Sequence, residues 1–166
     1  MHLSTAGDVG ARLVEVLPVQ RILVDATGER APDKAAALVI LSELLAPAVG
    51  VPREMVERVL VDRERLQSTG IGDGIAIPHA SLEAASRQLA ALLICPRGIP
   101  FEAIDGTDVR LIFGVVGPRQ ATGDHLRMLA RISRLVRDPA TRDNLAHAPT
   151  AETAHALLET QDASMR

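Results

Sequence analysis

The sequence predicts a single α/β domain in which a set of strands is enclosed by helices. Two observations carry this. Short apolar runs at Leu89–Cys95 and Val109–Val116 are bounded by the turn signals Pro96-Arg97-Gly98 and Asp105-Gly106. Long Ala/Leu-rich stretches on either side of them begin and end at proline or capping residues. With 166 residues and no internal repeat or low-complexity linker, the chain suits one well-cored domain, with a core from about 13 to 158.

The elements follow in order. The first twenty or so residues form an amphipathic lead-in, and Arg21 to Asp25 alternates enough for a strand closed by Gly28. Pro32 and Asp33 open a helix that Pro47 should stop, and a second helix should run from Pro52 to about Arg65. The segment Ser68-Thr69-Gly70-Ile71-Gly72-Asp73-Gly74 suits no regular element and leads into the brief alternation Gly74–Pro78. After the two apolar strands the chain should be helical over about 123–137, 139–147 and 150–159, with Thr150 as an N-cap and residues 161–166 frayed.

Composition removes several functional classes. The chain is 47% hydrophobic and 23% charged, which fits a globular protein and excludes a disordered one. Phe101 and Phe113 are its only aromatic residues besides histidine, so the core must be aliphatic and no stacking platform for single-stranded nucleic acid or sugar is available. A net charge of −3 supplies no general attraction to nucleic acid or to an anionic membrane. No apolar run approaches a membrane span, and the N-terminus lacks a basic segment followed by an apolar one, so the expected location is cytoplasmic. Cys95, the single cysteine, lies in an apolar run and reads as a small core residue.

Three residues stand out chemically. His79 follows Pro78 and the glycines at 70, 72 and 74. Glycines allow positive φ and close backbone approach, successive N–H groups can form an anion-binding concavity, and Ser68 and Thr69 add hydroxyls. Pro78 holds Ile77 extended, which defines the direction of His79. A nucleophilic imidazole beside such donors suits phosphoryl transfer; the plainer reading is a glycine-rich turn with a histidine at its edge. Arg63 shares a helical face with Val56, Val59 and Leu60. Its guanidinium could reach a phosphoryl group at the loop, or it could simply snorkel and favour the helix C-terminus. His125 falls among Met128, Leu129, Ile132 and Val136 on the apolar side of its helix, apart from the stripe Arg127, Arg131 and Arg134. In the first turn the helix dipole disfavours its protonation. It could hydrogen-bond the reactive imidazole or a phosphoryl oxygen, or be a satisfied core histidine. The loop lacks the lysine of a nucleotide-binding P-loop, no Gly-x-Ser-x-Gly elbow marks a hydrolase, and no His or Cys pair has metal-ligand spacing, so no metal and no cofactor are expected.

The run from Arg63-Glu64-Arg65 through Ser68-Thr69-Gly70-Ile71-Gly72-Asp73-Gly74 to Ile75-Ala76-Ile77-Pro78-His79 resembles the signature of bacterial phosphotransferase-system (PTS) IIA domains of the fructose, mannitol and nitrogen-regulatory type. Ala121-Thr122-Gly123-Asp124-His125-Leu126 through Arg131 to Arg137-Asp138 is similar to that family's other characteristic stretch, and the likeness extends from about Leu13 to Leu158. The resemblance implies a mixed central sheet with helices on both sides. It further implies that His79 is phosphorylated through Nε2, that His125 is the second active-site histidine, and that Arg63 can approach the phosphohistidine. The expected donor is HPr or its nitrogen-branch counterpart, and the expected acceptor is a IIB domain or a regulated target protein. Ile71 and Ile75 should form an apolar docking rim that also excludes water.

Departures are modest: Asp73 stands where nitrogen-branch members often have Asn, Ala80 where many have Gly, and Gly117-Pro118 in place of Ala-Pro. The absence of a fused IIB or IIC segment and the Ser68–Gly72 form of the loop favour a regulatory IIA protein. Asp73 and Ala80 favour the alternative, a transport subunit for fructose, mannitol or a similar sugar. A non-catalytic binding module is a third reading, opposed by the intact His79, Arg63 and His125.

Overall fold

The computed structural model describes residues 12–165. Helix α1 (Leu13–Val16) and a 3-10 turn (Val19–Arg21) lead into strand β1 (Ile22–Val24); helices α2 (Lys34–Val49) and α3 (Arg53–Leu66) follow. Three short strands come next, β2 (Gly70–Gly72), β3 (Ile75–Ala76) and β4 (His79–Ser81), then the long pair β5 (Leu89–Ile99) and β6 (Val109–Gly117). Helices α4 (Thr122–Leu135), α5 (Pro139–Ala146) and α6 (Ala151–Ser164) complete the chain. The sheet has the order β1-β5-β6-β3-β2, and β4 continues beyond β3 along β6. It is mixed: β1 is parallel to β5, β5 antiparallel to β6, and β3 and β4 parallel to β6. The α/β class and the mixed sheet are as expected from the sequence.

Side chains alternate across this sheet, and each face has its own aliphatic core. On β5, Leu89, Ala91, Leu93 and Cys95 pack with Leu38, Leu41, Leu45, Val56 and Leu60 of α2 and α3. The intervening Ala90, Leu92 and Ile94 pack with Met128, Ile132, Leu145 and Leu158 on the opposite side. Burial on both faces explains why β5 and β6 read as continuous apolar runs instead of alternating ones. Cys95 is a core thiol, its pKa pushed up to about 12 by burial and by the nearby Asp25.

Four boundaries differ from the sequence reading. Helix α2 passes through Pro47 and ends at Gly50, whose φ of 88° is left-handed. Pro47 and Glu43 lie on the exposed side, so the ring removes only a solvent-facing bond to the Glu43 carbonyl. Strand β5 runs through Pro96-Arg97-Gly98, where its register with β6 shifts between Ile94 and Ile99 instead of turning. The glycine segment is a hairpin of β2 and β3, with Asp73 at φ 58° and Gly74 at φ 77° forming its two-residue turn. Asp-Gly is the dipeptide that such a turn favours.

The fourth concerns the C-terminal tail expected to fray over 161–166. Helix α6 continues to Ser164 because Asp162 is fully buried. Its carboxylate accepts from the Val14 amide at 3.0 Å and from Arg131 Nε at 2.6 Å, while Arg131 Nη2 donates to the Asp162 carbonyl at 3.0 Å. One side chain thus ties α6 to α1 and α4. Asp162→Ala should lower the unfolding free energy by about 3 kcal/mol, because it strands the Arg131 charge and the Val14 amide. Urea denaturation of the two proteins measures it.

Candidate functional site: a histidine pair at the end of the sheet

His79 opens β4, whose register places it opposite Val115 of β6. Ala80 packs toward the α2–α3 core, so strand alternation turns His79 to the other face, toward α4. There the first turn of α4 presents His125, and the two imidazole centroids lie 5.6 Å apart with a 53° tilt. Each ring is held by its Nδ1. His79 Nδ1 lies 2.6 Å from the Ile77 carbonyl, and since a carbonyl can only accept, Nδ1 bears the proton and Nε2 carries the lone pair. His125 Nδ1 lies 2.9 Å from Oε1 of Gln88, the residue just before β5.

The Ile77 carbonyl is itself positioned by a chain of bonds. The Ile77 amide donates to the Thr69 carbonyl at 3.0 Å. Thr69 donates to the buried Glu64 carboxylate through its amide at 3.0 Å and its hydroxyl at 2.6 Å. Lys34 closes the series with a 2.9 Å ion pair to Glu64 and a second to Glu102 at 3.1 Å. Burial opposes the charge of Lys34, but the two carboxylates outweigh it and raise its pKa.

Burial also lowers the pKa of His79 below the ordinary imidazole value; the Ile77 bond works against this, and the positive charge of Arg63 adds to it. His125 is lowered too, by burial first and then by His79. Both rings are therefore neutral near pH 7, the form a nucleophile needs.

Arg63 stands in the last turn of α3, close enough for its charge to act on His79, with Nη1 donating to the Gln67 carbonyl at 2.9 Å. His79 and His125 thus face each other at one end of the sheet, with Arg63 near enough for its charge to be felt at His79. The loop residues expected to cradle phosphate make bonds within the fold. Ser68 donates to the Phe101 carbonyl at 2.7 Å and accepts from the Gly70 amide at 3.1 Å, and Thr69 is held by Glu64. A Cβ on Gly70 would lie 2.8 Å from Ala103, so this glycine permits a close approach. Gly72 and Gly74 supply the left-handed φ values around the hairpin turn.

Other donors lie nearer the imidazole. Val115 donates to the Pro78 carbonyl and Leu82 to the Gly117 carbonyl, so the intervening amides of His79 and Ser81 point to the other edge of β4, which pairs with no strand among the described residues. Of the expected apolar rim, Ile75 is 2% exposed and belongs to the core, whereas Ile71 is 48% exposed. Leu66, Ile104 and Leu126 are exposed as well, and sequence periodicity could not single them out. Gln88 and Lys34 carried no local signal, since their partners lie 37 and 30 residues away.

A neutral, tautomer-locked histidine facing a second histidine at a sheet edge, with an arginine alongside, defines a site suited to carrying a group on an imidazole. Residues 16–161 match the family described as "Phosphoenolpyruvate-dependent sugar phosphotransferase system, EIIA 2", and the chain belongs to this family. It is 34% identical over 148 residues to a nitrogen regulatory protein of Pseudomonas aeruginosa, covering 89% of this chain and 94% of that protein. It is 32% identical over 126 residues to a PTS fructose-specific EIIA component of Haloferax volcanii, covering 75% of this chain and 82% of that one. The crystal structure of the nitrogen regulatory protein IIA-Ntr from Neisseria meningitidis superposes with a TM-score of 0.81 at 30% identity, covering 89% and 99% of the two chains. Among the described residues no helix is long and apolar enough to cross a membrane.

The depressed histidines make a pH prediction. Their folded pKa values lie below the unfolded one, so the unfolded chain takes up protons first as pH falls through about 6.5, and stability falls with it. Urea titrations at pH 7.5 and 5.5 should show a smaller loss for His79→Ala than for the natural protein.

Proposed function

We propose that the protein is a phosphoryl carrier of the nitrogen-regulatory type, loaded on His79 Nε2 by an HPr-type phosphocarrier. The observation that carries this is the 2.6 Å bond between His79 Nδ1 and the Ile77 carbonyl, which leaves Nε2 as the free nucleophilic nitrogen. In the transfer step, the Nε2 lone pair forms the new N–P bond as the donor's P–N bond breaks, and the electron pair of that bond returns to the donor's imidazole. Arg63 exchanges its bond to the Gln67 carbonyl for the phosphoryl oxygens, its planar fork suiting them, and the His79 and Ser81 amides offer further donors. His125 orients the phosphoryl group from the α4 side. Leu66 and Leu126, exposed on the helices that carry Arg63 and His125, would meet the partner and shield the transfer from water.

The regulatory branch is favoured by similarity to nitrogen regulatory proteins along nearly the whole chain. In that reading the phosphorylation state of His79 controls binding to a target protein. A transport reading, with a IIB domain as acceptor, is supported by the fructose-specific relative and by Asp73, whose exposed side chain sits on the hairpin turn where nitrogen-branch members often have Asn.

Incubation with phosphoenolpyruvate, Enzyme I and an HPr-type protein should place an acid-labile, base-stable phosphate on the chain. His79→Ala should abolish it; a fully labelled His79→Ala protein overturns the assignment. Arg63→Ala should slow loading by about tenfold or more, as expected for loss of a charge-assisted contact.

A further inference from the structure

We propose that Gln88 is the positioning residue of His125 in phosphoryl transfer, and that its seat exists only because residue 117 has no side chain. Leu89 pairs with Val116 across β5 and β6, so Gln88 lies over the end of β6 at Gly117. A Cβ on Gly117 would overlap the Gln88 amide nitrogen, carbon and oxygen together. The side chain is only 8% exposed, and it reaches His125 Nδ1 with Oε1 at 2.9 Å. Its Nε2 is buried and has no hydrogen-bond partner among the described residues. An apolar side chain of the same length would avoid that deficit, so the amide is explained by what its carbonyl does.

That carbonyl accepts the Nδ1 proton of His125 and leaves Nε2 unprotonated in the free protein. A phosphoryl group on His79 brings negative charge beside this ring and draws a proton from solvent onto Nε2. Gln88 keeps accepting from Nδ1, so the resulting imidazolium holds a fixed orientation while its Nε2–H donates to a phosphoryl oxygen. Among the described residues, these charged groups bear on the ring. His79 faces the ring from β4, with Arg63 and Glu64 acting on His79 from α3. On α4 itself Asp124 is paired with Arg127.

The role rests on His79 as phosphoryl acceptor, but the pairing with His125 does not, and the test separates them. Nitrogen-resolved NMR titration of His125 in the unphosphorylated protein reads the pairing; the pH profile of loading by phospho-HPr reads the role. Gln88→Met should lower the His125 titration midpoint and reduce loading about tenfold near neutrality, the loss expected when a charged hydrogen-bond donor loses its acceptor. Gln88→Glu should move both the midpoint and the loading profile to higher pH. Gly117→Ala should reproduce Gln88→Met by displacing the amide, and the double variant Gly117→Ala with Gln88→Met should lose little more than either alone. A backbone amide spectrum like that of the natural protein confirms that each variant is folded. A His125 midpoint unmoved in Gln88→Met, shifts of the same sign for Met and Glu, or additive losses in the double variant would overturn the proposal. Midpoints that follow Gln88 in a protein that phospho-HPr never loads would instead overturn the reading of the site.

Discussion

The site depends on a single hydrogen bond, from His79 Nδ1 to the Ile77 carbonyl two residues earlier. It decides which nitrogen carries the lone pair, and it holds the ring against the face of α4. Nothing in an isolated extended segment would keep that carbonyl in place. Here the Ile77 amide is tied to the Thr69 carbonyl, Thr69 to Glu64, and Glu64 to Lys34 at the start of α2. A charge pair under the sheet thereby reaches the reactive ring through backbone groups. Glu64 is buried, and removing Lys34 would leave its carboxylate stranded, which makes this series expensive to interrupt.

The two histidines show how separate elements can be tuned for one purpose. His79 takes its direction from a short strand that, among the described residues, has a neighbouring strand on one side only, and His125 from the first turn of the helix that packs on the face His79 points to. Partial burial keeps both neutral, and Arg63 on a third element adds its positive charge at His79. Each element is anchored in an aliphatic core, α3 on one side of the sheet and α4 on the other, so the geometry is set by packing.

Much of this was legible in the sequence. The proline before His79, the apolar neighbours of His125 and the misplaced arginine at 63 all carry local signals, and the two imidazoles do face each other. What was not legible belongs to long-range pairing. A sequence cannot reveal that the Ser68 and Thr69 hydroxyls bond to Phe101 and Glu64. Pro47 looked like a helix stop because the solvent exposure of its missing bond depends on how α2 packs. The tail looked frayed because its anchor is a contact with the far end of the chain. Gly117 looked like an inconsequential departure until Gln88 was seen lying across it.

The Ile77 bond has an evolutionary corollary. Its acceptor is a main-chain oxygen, which every amino acid possesses, so no single codon change at position 77 can delete it. The reactive tautomer is insulated from drift at the residue nearest to it. Selection on that feature must act instead at distant loci, on whatever keeps the strand from sliding or peeling away.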